Sequence, residues 1–252
     1  MKTKKLLIHF LRFFIIIIFL ISWELLSKYH IINSFIFSSP SKILDCIRKL
    51  YTNNNLFIHI NVTLHETIIS FILSIIISFI ISIFLYHFKT IFKVIEPLLT
   101  MLNSTPKIAI GPIIIILFGA NQNSIIITAL SITLILNILT IYNSFLNTNI
   151  YLENYLKTLN VTKFQKLKYL VIPSSYKTLI SSLKINISMT LIGVIMGEFL
   201  VSKAGIGYLI IYGTQVFNLT LVMSGIVILM TLSYILYLVI NIIENKLKKY
   251  LT

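Results

Sequence analysis

The segment YLENYLKTLNVTKFQKLKYLVIP, residues 151–173, is the longest polar passage between two long apolar runs of the chain. Apolar residues recur at the i, i+3, i+4 and i+7 spacing from Leu152 to Leu159, which predicts a short amphipathic helix. Asn160 is expected to end this helix, because asparagine tolerates the left-handed backbone conformation used at helix ends. The segment therefore predicts an ordered loop that meets water between two membrane segments.

Thr162 can cap a second helix, which is predicted from about Lys163 to Val171 and carries Lys166 and Lys168. Pro173 is expected to mark the end of this helix, because proline disfavours helical geometry in the residue before it. A helix, a tight turn and a basic helix together indicate a surface on which a partner protein docks. An ordinary solvated loop is the alternative, since runs of charge usually lie on solvent-exposed faces.

The composition places the chain in a membrane: it has 252 residues and is 57% hydrophobic and 11% charged, against about 25% charged in ordinary soluble domains. The formal net charge of +14 is compatible with nucleic-acid binding, but the basic residues lie at the ends of apolar runs, where membrane helices carry them. We therefore expect membrane lipid, and no nucleic acid, as a partner. The single cysteine, Cys46, and five dispersed histidines form no metal-ligand motif, so no metal site is predicted.

The apolar runs predict an all-α integral membrane protein with six transmembrane helices in one domain, residues 1–252. The first run, residues 6–26, follows Lys2, Lys4 and Lys5 and is interpreted as a membrane anchor, with a cleaved signal peptide as the alternative. After it, Pro40 starts an amphipathic helix that is expected to lie along the membrane surface. The remaining spans are predicted at residues 63–86, 96–119, 124–145, 179–200 and 219–243.

The third span is irregular, because Pro106, Gly111 and Pro112 interrupt an otherwise apolar helix that starts at Glu96 and Pro97. Interrupted membrane helices free backbone groups that must be buried in protein or face a water-filled path. This span is therefore a candidate for the wall of a translocation route.

The fifth span carries several polar residues, including Asn186, Thr190 and Glu198, and is expected to face the interior of the helix bundle. Glu198 either lines the route near its outer gate or binds backbone groups around the turn that contains Gly205. Gly193 and Gly197 are four residues apart, the spacing that lets helix backbones approach closely.

The loop of residues 151–173 resembles the loop motif of the binding-protein-dependent permeases of ABC importers. In that motif an EAA triplet is followed by a glycine, a short apolar and basic stretch, and a proline. Residues 159–162 and 171–173 fall into that frame. The match departs in two places: residues 154–156 occupy the triplet positions with Glu153 one place early, and Asn160 stands where the glycine is expected.

The passage GEFLVSKAGIGYLI, residues 197–210, resembles the subfamily of these permeases that handles nitrate, taurine and aliphatic sulfonates, and so do the Phe118–Gly119 pair and residues 23–24 and 39–41. The glycines of this passage do not form a phosphate-binding loop, because the preceding soluble strand and the third glycine of that fingerprint are missing. The resemblance implies the type I ABC importer permease fold, with a cytoplasmic coupling loop at about residues 147–175.

The resemblance implies the permease subunit of an ATP-driven importer, which forms the translocation pathway by alternating access and is not an enzyme. It implies three partners: ABC-type ATPase subunits, a second copy of this chain and an external solute-binding protein. The ATPase uses the ATP and this chain, which lacks GxxxxGK[ST], binds no cofactor. The residues assigned to ATPase coupling are Asn154, Leu156, Lys157, Leu159, Asn160, Val161, Thr162, Lys163 and Phe164; the pathway or gate is assigned to Pro106, Asn186, Thr190 and Glu198.

Within the coupling set, the apolar residues are expected at the ATPase groove and Lys157 and Lys163 at charged partners, while packing of the apolar residues against their own helix bundle is the alternative. The basic residues favour a multi-pass protein with both termini in the cytoplasm. The high content of Ile, Lys and Asn suggests an AT-rich bacterial genome, so the plasma membrane of a bacterium is expected.

Two other functional classes remain as alternatives. An autonomous channel or ion-coupled carrier usually shows paired intramembrane charges or inverted repeats, and a membrane-embedded lipid-modifying enzyme needs a cluster of His, Asp and Glu. Neither pattern is visible in the sequence.

Overall fold

A computed structural model describes residues 2–249 of the chain, without the side chains of residues 2–10, 12, 13 and 107. The lysines predicted to flank the first span, Lys2, Lys4 and Lys5, therefore lie outside the described side chains. All regular elements in the described part are helical: α1 (Lys2–Lys28), α2 (Ser34–Phe37), α3 (Pro40–Thr52), α4 (Asn55–His87), α5 (Lys89–Ser104), α6 (Gly111–Phe118), α7 (Gln122–Leu146), α8 (Ile150–Thr158), α9 (Lys163–Lys166), α10 (Ile172–Val201), α11 (Ile206–Gln215) and α12 (Leu219–Lys249).

Four helical stretches among the described residues are long and apolar enough to cross a membrane: Asn55–His87, Gln122–Leu146, Lys163–Val201 and Leu219–Lys249. A fifth candidate is a broken span, in which Lys89–Ser104 and Ile108–Phe118 are bent by 92°. The prediction of an all-α membrane protein is confirmed. The count of six spans, with α1 as the first, stays a prediction.

Pro173 does not end the basic helix, so the predicted boundary is wrong. α9 continues through a π-helical turn, Leu167–Val171, into α10, and the helical stretch Lys163–Val201 is 39 residues long. A proline inside an α-helix removes a hydrogen bond and its ring presses on the carbonyl four residues earlier. The wider π turn relieves this conflict, because its backbone bonds span one more residue.

Two serine hydroxyls complete the hydrogen bonding around this proline. Ser174 Oγ donates to the carbonyl of Leu170 and Ser175 Oγ donates to the carbonyl of Val171, both at 2.7 Å. Backbone carbonyls released by the π turn are thereby paired within the helix. The prediction that proline ends the helix at this position is wrong because it takes no account of the hydroxyl groups of Ser174 and Ser175.

The third predicted span also starts earlier than expected. α5 begins at Lys89 and contains Pro97 within it, so Glu96 and Pro97 do not start the span. The chain does break at Pro106, which precedes a short 3₁₀ helix. Gly111 and Pro112 open α6 and do not interrupt a helix, since proline is tolerated in the first helical turn.

The chain forms two compact units, Met1–Asn61 with Ala204–Met230, and Val62–Lys203 with Thr231–Thr252. In the first unit, Ser39 caps α3 as its side chain accepts from the Lys42 amide, and Glu24 accepts from the Ser41 amide at 3.0 Å. The predicted proline-started helix is therefore confirmed, and its place along the membrane surface stays a prediction. The expectation that residues 1–252 form one permease domain also stays a prediction.

The second unit is built on the contact of α10 with α7. A Cβ atom added at Gly193 would lie 2.7 Å from Ala129 Cα, and one at Gly197 would lie 3.0 Å from Ile125 Cα. The two glycines therefore let the helix backbones approach, as their spacing predicts. Beyond them, an apolar cluster joins α4, α5, α7 and the π turn: Leu85, Tyr86, Phe92, Ile138, Ile141, Tyr142, Phe145, Leu167 and Val171.

A polar stripe runs along α4 in the same unit, and all of its residues are buried: Thr63, Glu66, Thr67, Ser70, Ser74, Ser78 and Ser82. Apart from the adjacent Glu66 and Thr67, the residues recur every three or four positions and so share one face of the helix. Asn137 Nδ2 of α7 donates to Ser74 Oγ at 2.7 Å, and Ser82 Oγ donates to the carbonyl of Ile138. Small and hydroxylated residues thus join α4 to α7.

Replacement of Gly193 by alanine should destabilise the second unit, because the new methyl group meets the backbone of Ala129 and a backbone cannot rotate away. We expect the free energy of unfolding to fall by about 1–3 kcal/mol, the usual cost of overpacking. The measurement is the thermal midpoint of the purified protein in detergent.

The matched control is Gly111→Ala, whose methyl group would lie 2.5 Å from Leu200 Cδ1. That atom is the end of a flexible side chain and can move, so the control should lose less stability than Gly193→Ala. Equal midpoints for the two variants would contradict the close approach of α10 and α7.

Candidate functional site

The predicted docking loop consists of two helices joined by a tight turn. Asn149 caps α8, since its side chain accepts from the Tyr151 amide at 2.9 Å. Asn160 has φ of 51° and its amide donates to the carbonyl of Lys157 at 3.1 Å. The left-handed residue predicted at Asn160 is confirmed, and it turns the chain towards α9 without a glycine.

Thr162 caps α9 by a reciprocal pair of hydrogen bonds, so this prediction is also confirmed. The Gln165 amide donates to Thr162 Oγ1 at 3.2 Å, and the Thr162 amide donates to Gln165 Oε1 at 2.8 Å. Such a capping box satisfies two backbone donors at the start of a helix. It sets the direction in which the chain enters α9.

Glu153 links the two helices of the loop. Its carboxylate lies 2.5 Å from Lys166 Nζ and 3.8 Å from Lys157 Nζ. The hydrogen bond from Lys166 holds the pKa of Glu153 below its ordinary value, against a smaller effect of burial. The predicted coupling residues do not include Glu153, because it stands one place before the triplet positions. The sequence signal that could have identified Glu153 is its negative charge in a basic loop, because a lysine thirteen positions later, Lys166, is there to pair with it.

The loop exposes large apolar side chains to solvent. The exposed fraction is 56% for Leu159 and 64% for Phe164, while Leu156 and Val161 are half-buried. Leu167 and Val171 below them are buried in the apolar cluster. We call Leu159 and Phe164, with the exposed Lys157 and Lys163 beside them, the docking surface.

The remaining coupling residues are polar and lie on the same loop. Asn154 is exposed and its Oδ1 accepts from Lys157 Nζ at 3.2 Å. Beside α9 an open cleft of about 450 Å³ separates the loop from the turn between α4 and α5. Its lining residues include Lys89, Lys163 and Lys166. The arrangement is a basic, partly apolar surface with a recess at its edge, which suits a partner protein with an acidic rim.

The residues assigned to the pathway fall in two places. Asn186, Thr190 and Glu198 are buried along α10, where Thr190 Oγ1 donates to the carbonyl of Asn186 at 2.8 Å. Asn186 also lines a cleft of about 190 Å³ with apolar residues of α4, α7 and α10. Pro106 is exposed at the bend after α5. Their assignment to a translocation pathway stays a prediction.

Glu198 is fully buried, and Thr63 Oγ1 donates to its Oε1 at 2.6 Å. The carboxyl group of Glu66 lies against that of Glu198 and is also buried. Two acidic residues therefore meet within the span-length helices, although the sequence showed no paired charges. Glu66 was missed because it is a lone carboxyl near the polar start of its span, and its partner is far along the chain.

Comparison with known proteins identifies relatives over most of the chain. The family model described as "Binding-protein-dependent transport system inner membrane component" matches residues 71–249. An ABC transporter permease of Haemophilus influenzae is 26% identical over 89% of this chain and 91% of its own length. An aliphatic sulfonates transport permease of Bacillus subtilis is 21% identical over 90% and 83%. A riboflavin transport system permease of Chloroflexus aurantiacus is 28% identical over 86% and 81%.

Among solved structures, the inward-facing MetNI methionine ABC transporter contains a chain with a similar fold. The TM-score is 0.63 at 16% sequence identity, over 77% of this chain and 94% of that chain. The expected fold of a type I importer permease is therefore confirmed.

Acidification should loosen the loop, because the link between Glu153 and Lys166 needs an ionised carboxylate. The pKa of Glu153 is lower in the folded loop than in an unfolded chain, so its stabilising contribution is present above the unfolded pKa and is lost as pH falls through the folded pKa. A spin label at Thr158→Cys, in a Cys46→Ser background, should therefore be more mobile at about pH 3 than at about pH 7.

The control variant is Glu153→Gln, in which the label should have the same mobility at both pH values. A wild-type label whose mobility does not change with pH would show that Glu153 does not hold the loop.

Proposed function

The chain belongs to the family of binding-protein-dependent inner membrane transport components, and from that premise we propose how it is coupled to its ATPase and which solute it carries. Membership makes it a permease subunit of an ABC importer and a multi-pass membrane protein. Because family and relatives are transport proteins, the prediction that the chain is not an enzyme is confirmed. The channel, carrier and lipid-modifying enzyme are set aside for the same reason.

The observation that carries the coupling proposal is the docking surface, which exposes Leu159 and Phe164 on a loop capped at both helices. Large apolar side chains on an ordered, basic loop are typical anchors of a protein interface. The anchors enter a groove of an ABC-type ATPase subunit, and Lys157 and Lys163 face acidic groups on its rim. ATP is bound by that subunit, and this chain binds no cofactor.

The helical stretch Lys163–Val201 transmits a movement of the docking loop to the membrane-spanning part of the chain. Since α9 and α10 are one continuous helix, a displacement of α9 by the ATPase moves α10 with it. Two copies of the chain form the pathway, and ATP-driven approach of the two ATPase subunits switches its opening from one side of the membrane to the other. An external binding protein delivers the solute.

For the solute we favour a small organic or oxyanion solute of the aliphatic sulfonate, taurine or nitrate class. The resemblance of residues 197–210 and the Bacillus subtilis relative support this choice. Riboflavin is the second candidate, because the Chloroflexus aurantiacus relative carries that name. The external binding protein, and not this chain, largely determines which of these solutes is transported.

The orientation that we propose puts both termini in the cytoplasm of a bacterium. The turn with Lys89 and Lys93, the docking loop and the last residues with Lys246, Lys248 and Lys249 then lie on one side. This agrees with the excess of lysine and arginine in cytoplasmic segments.

Replacement of Leu159 and Phe164 together by alanine should release the ATPase. Each interface anchor contributes on the order of 2 kcal/mol, so binding should weaken by roughly 30-fold or more per anchor. The measurement is co-purification of the ATPase with a tagged permease, together with solute-stimulated ATP hydrolysis.

The control is Ile116→Ala, which removes a still more exposed apolar side chain from α6. It should retain the ATPase at the wild-type level. If the double variant also retained it, the docking assignment would be wrong.

The solute is found by assay of the complete transporter. The permease, the ATPase and the binding protein encoded beside it are reconstituted in lipid vesicles, and taurine, an alkane sulfonate, nitrate and riboflavin are compared. We expect a sulfonate to stimulate ATP hydrolysis and to enter the vesicles. Stimulation by riboflavin alone would replace the first candidate by the second.

A further inference from the structure

The open cleft of about 450 Å³ beside α9 lies within the unit that contains Val62–Lys203. Residues 86–91, at the end of α4 and the start of α5, form one wall, and Lys163 and Lys166 of α9 form the other. Among the described residues, neither Leu159 nor Phe164 lines the cleft, and Lys163 is the residue that it shares with the docking surface. The cleft is therefore a feature of its own beside that surface.

The cleft carries an excess of positive charge. Its three lysines are Lys89, Lys163 and Lys166, and Glu153 lies 2.5 Å from Lys166 Nζ. Lys89 Nζ lies 5.7 Å from the centre of the Tyr86 ring, and neither Lys89 nor Lys163 forms an ion pair among the described residues. Glu153 acts on Lys89 at longer range, but one carboxylate does not neutralise three ammonium groups. An anion in the cleft would complete the neutralisation.

The other lining groups suit an anion that has several oxygens. Thr90 adds a hydroxyl donor to the ammonium groups, and no carboxylate of the described residues lines the cleft. Lysine binds phosphate groups as a compact point charge, and hydroxyl groups donate to phosphate oxygens. The lining side chains therefore favour a phosphate group over a metal cation.

One wall of the cleft continues along an apolar face of α4. The Phe88 amide donates to the carbonyl of Phe84 at 3.1 Å, and the centres of the two rings are 4.8 Å apart. Ile80 lies four residues earlier on the same face, and the exposed fractions of Ile80, Phe84 and Phe88 are 60%, 51% and 49%. Because α4 is long and apolar enough to cross a membrane, these exposed side chains suit hydrocarbon. The cleft thus adjoins the end of a lipid-facing surface, at the depth of lipid head groups.

We propose that the cleft binds an anionic membrane lipid. Lys89 and Lys163 contact its phosphate, and an acyl chain lies along Phe88, Phe84 and Ile80. A soluble phosphate ester would meet the same ammonium groups but would leave the apolar face uncovered, so the lipid matches both parts of the site. In the orientation proposed above the cleft opens on the cytoplasmic leaflet, whose surface carries anionic lipids.

An acidic segment of the ATPase is the competing occupant of a basic cleft. The lipid is favoured because the apolar face that continues from Phe88 belongs to a membrane span, where a soluble subunit does not reach. A phosphate held by both Lys89 and Lys163 links the start of α5 to the start of α9. The lipid would therefore hold the docking loop against the membrane end of α4.

Native mass spectrometry of the purified permease alone, in detergent with phosphatidylglycerol added, tests the proposal. The double variant Lys89→Gln with Lys163→Gln removes both lysines that lack a carboxylate. A lysine near an anionic membrane surface raises affinity about fivefold, so the double variant should bind phosphatidylglycerol roughly 25-fold more weakly. Phosphatidylcholine, whose head group has no net charge, should bind weakly to the wild type and to the variant.

The matched control is Lys93→Gln with Lys246→Gln. Both lysines are exposed, lie on the same side in the proposed orientation and do not line the cleft, so the same charge is removed elsewhere. The control should keep the wild-type affinity for phosphatidylglycerol. An equal loss in both double variants would show attraction by net charge alone and would overturn the site.

The source of the phosphate is decided by glycerol 3-phosphate, which has a phosphate and no acyl chain. Equal affinities for glycerol 3-phosphate and phosphatidylglycerol would replace the lipid by a soluble ester. Phe84→Ala should weaken the binding of phosphatidylglycerol and leave that of glycerol 3-phosphate unchanged. If phosphatidylglycerol did not bind, and the lysine double variant lost the ATPase in co-purification, the cleft would belong to the ATPase and the proposal would be wrong.

Should the lysine double variant not fold, Lys89→Gln alone serves, and it should bind phosphatidylglycerol about fivefold more weakly. Lys89 lies outside the docking surface, and lipid binding is measured on the permease without its ATPase. The lipid site therefore stands or falls separately from ATPase docking, which is judged by the variant of Leu159 and Phe164.

Discussion

The hydrocarbon layer offers no water to backbone amides and carbonyls, so each of these groups must be paired within the protein. Two of the five prolines of this chain, Pro173 and Pro106, meet that requirement differently. At Pro173 a π turn and the hydroxyls of Ser174 and Ser175 keep the helix unbroken. At Pro106 the helix ends, and a 3₁₀ turn and a bend of 92° follow. The helix is therefore continuous at Pro173 and bent at Pro106, although both positions hold proline.

The unbroken connection decides what α10 can do. Between Lys163 and Glu198 the helix advances roughly 50 Å, at about 1.5 Å per residue. One end of this helix carries Lys163 and Phe164 of the docking surface, and the other carries the buried carboxyl of Glu198. Gly193 and Gly197 lie near the Glu198 end and let that part of the helix approach the backbone of α7 closely. A push at the loop therefore reaches Glu198 through one element.

Much of this arrangement follows from local chemistry and was predictable. The helices follow from apolar runs, the turn at Asn160 from the tolerance of asparagine for left-handed geometry, and the start of α9 from Thr162. Three features were not predictable in this way. At Pro173 the hydroxyls of Ser174 and Ser175 bond carbonyls four residues earlier, and a rule on the residue before a proline leaves these local contacts out. Glu153 depends on the return of the chain to Lys166, and Glu66 meets a partner more than one hundred residues away. The last two are contacts between elements, and a pattern of neighbouring residues does not contain them.

The chain has 21 lysines and arginines and 7 acidic residues, so a cation to neutralise a carboxylate is abundant. Glu153 and Glu244 both have lysine partners, and a buried charge is ordinarily retained in this way. Glu66 and Glu198 lie inside the spans, where Thr63 of α4 donates its hydroxyl to Glu198 of α10. A buried carboxyl group needs hydrogen-bond donors to replace water, and a donor on another helix fixes the two helices relative to each other. The carboxylates of Glu153 and Glu244 thus hold lysines, and Glu198 joins α4 to α10.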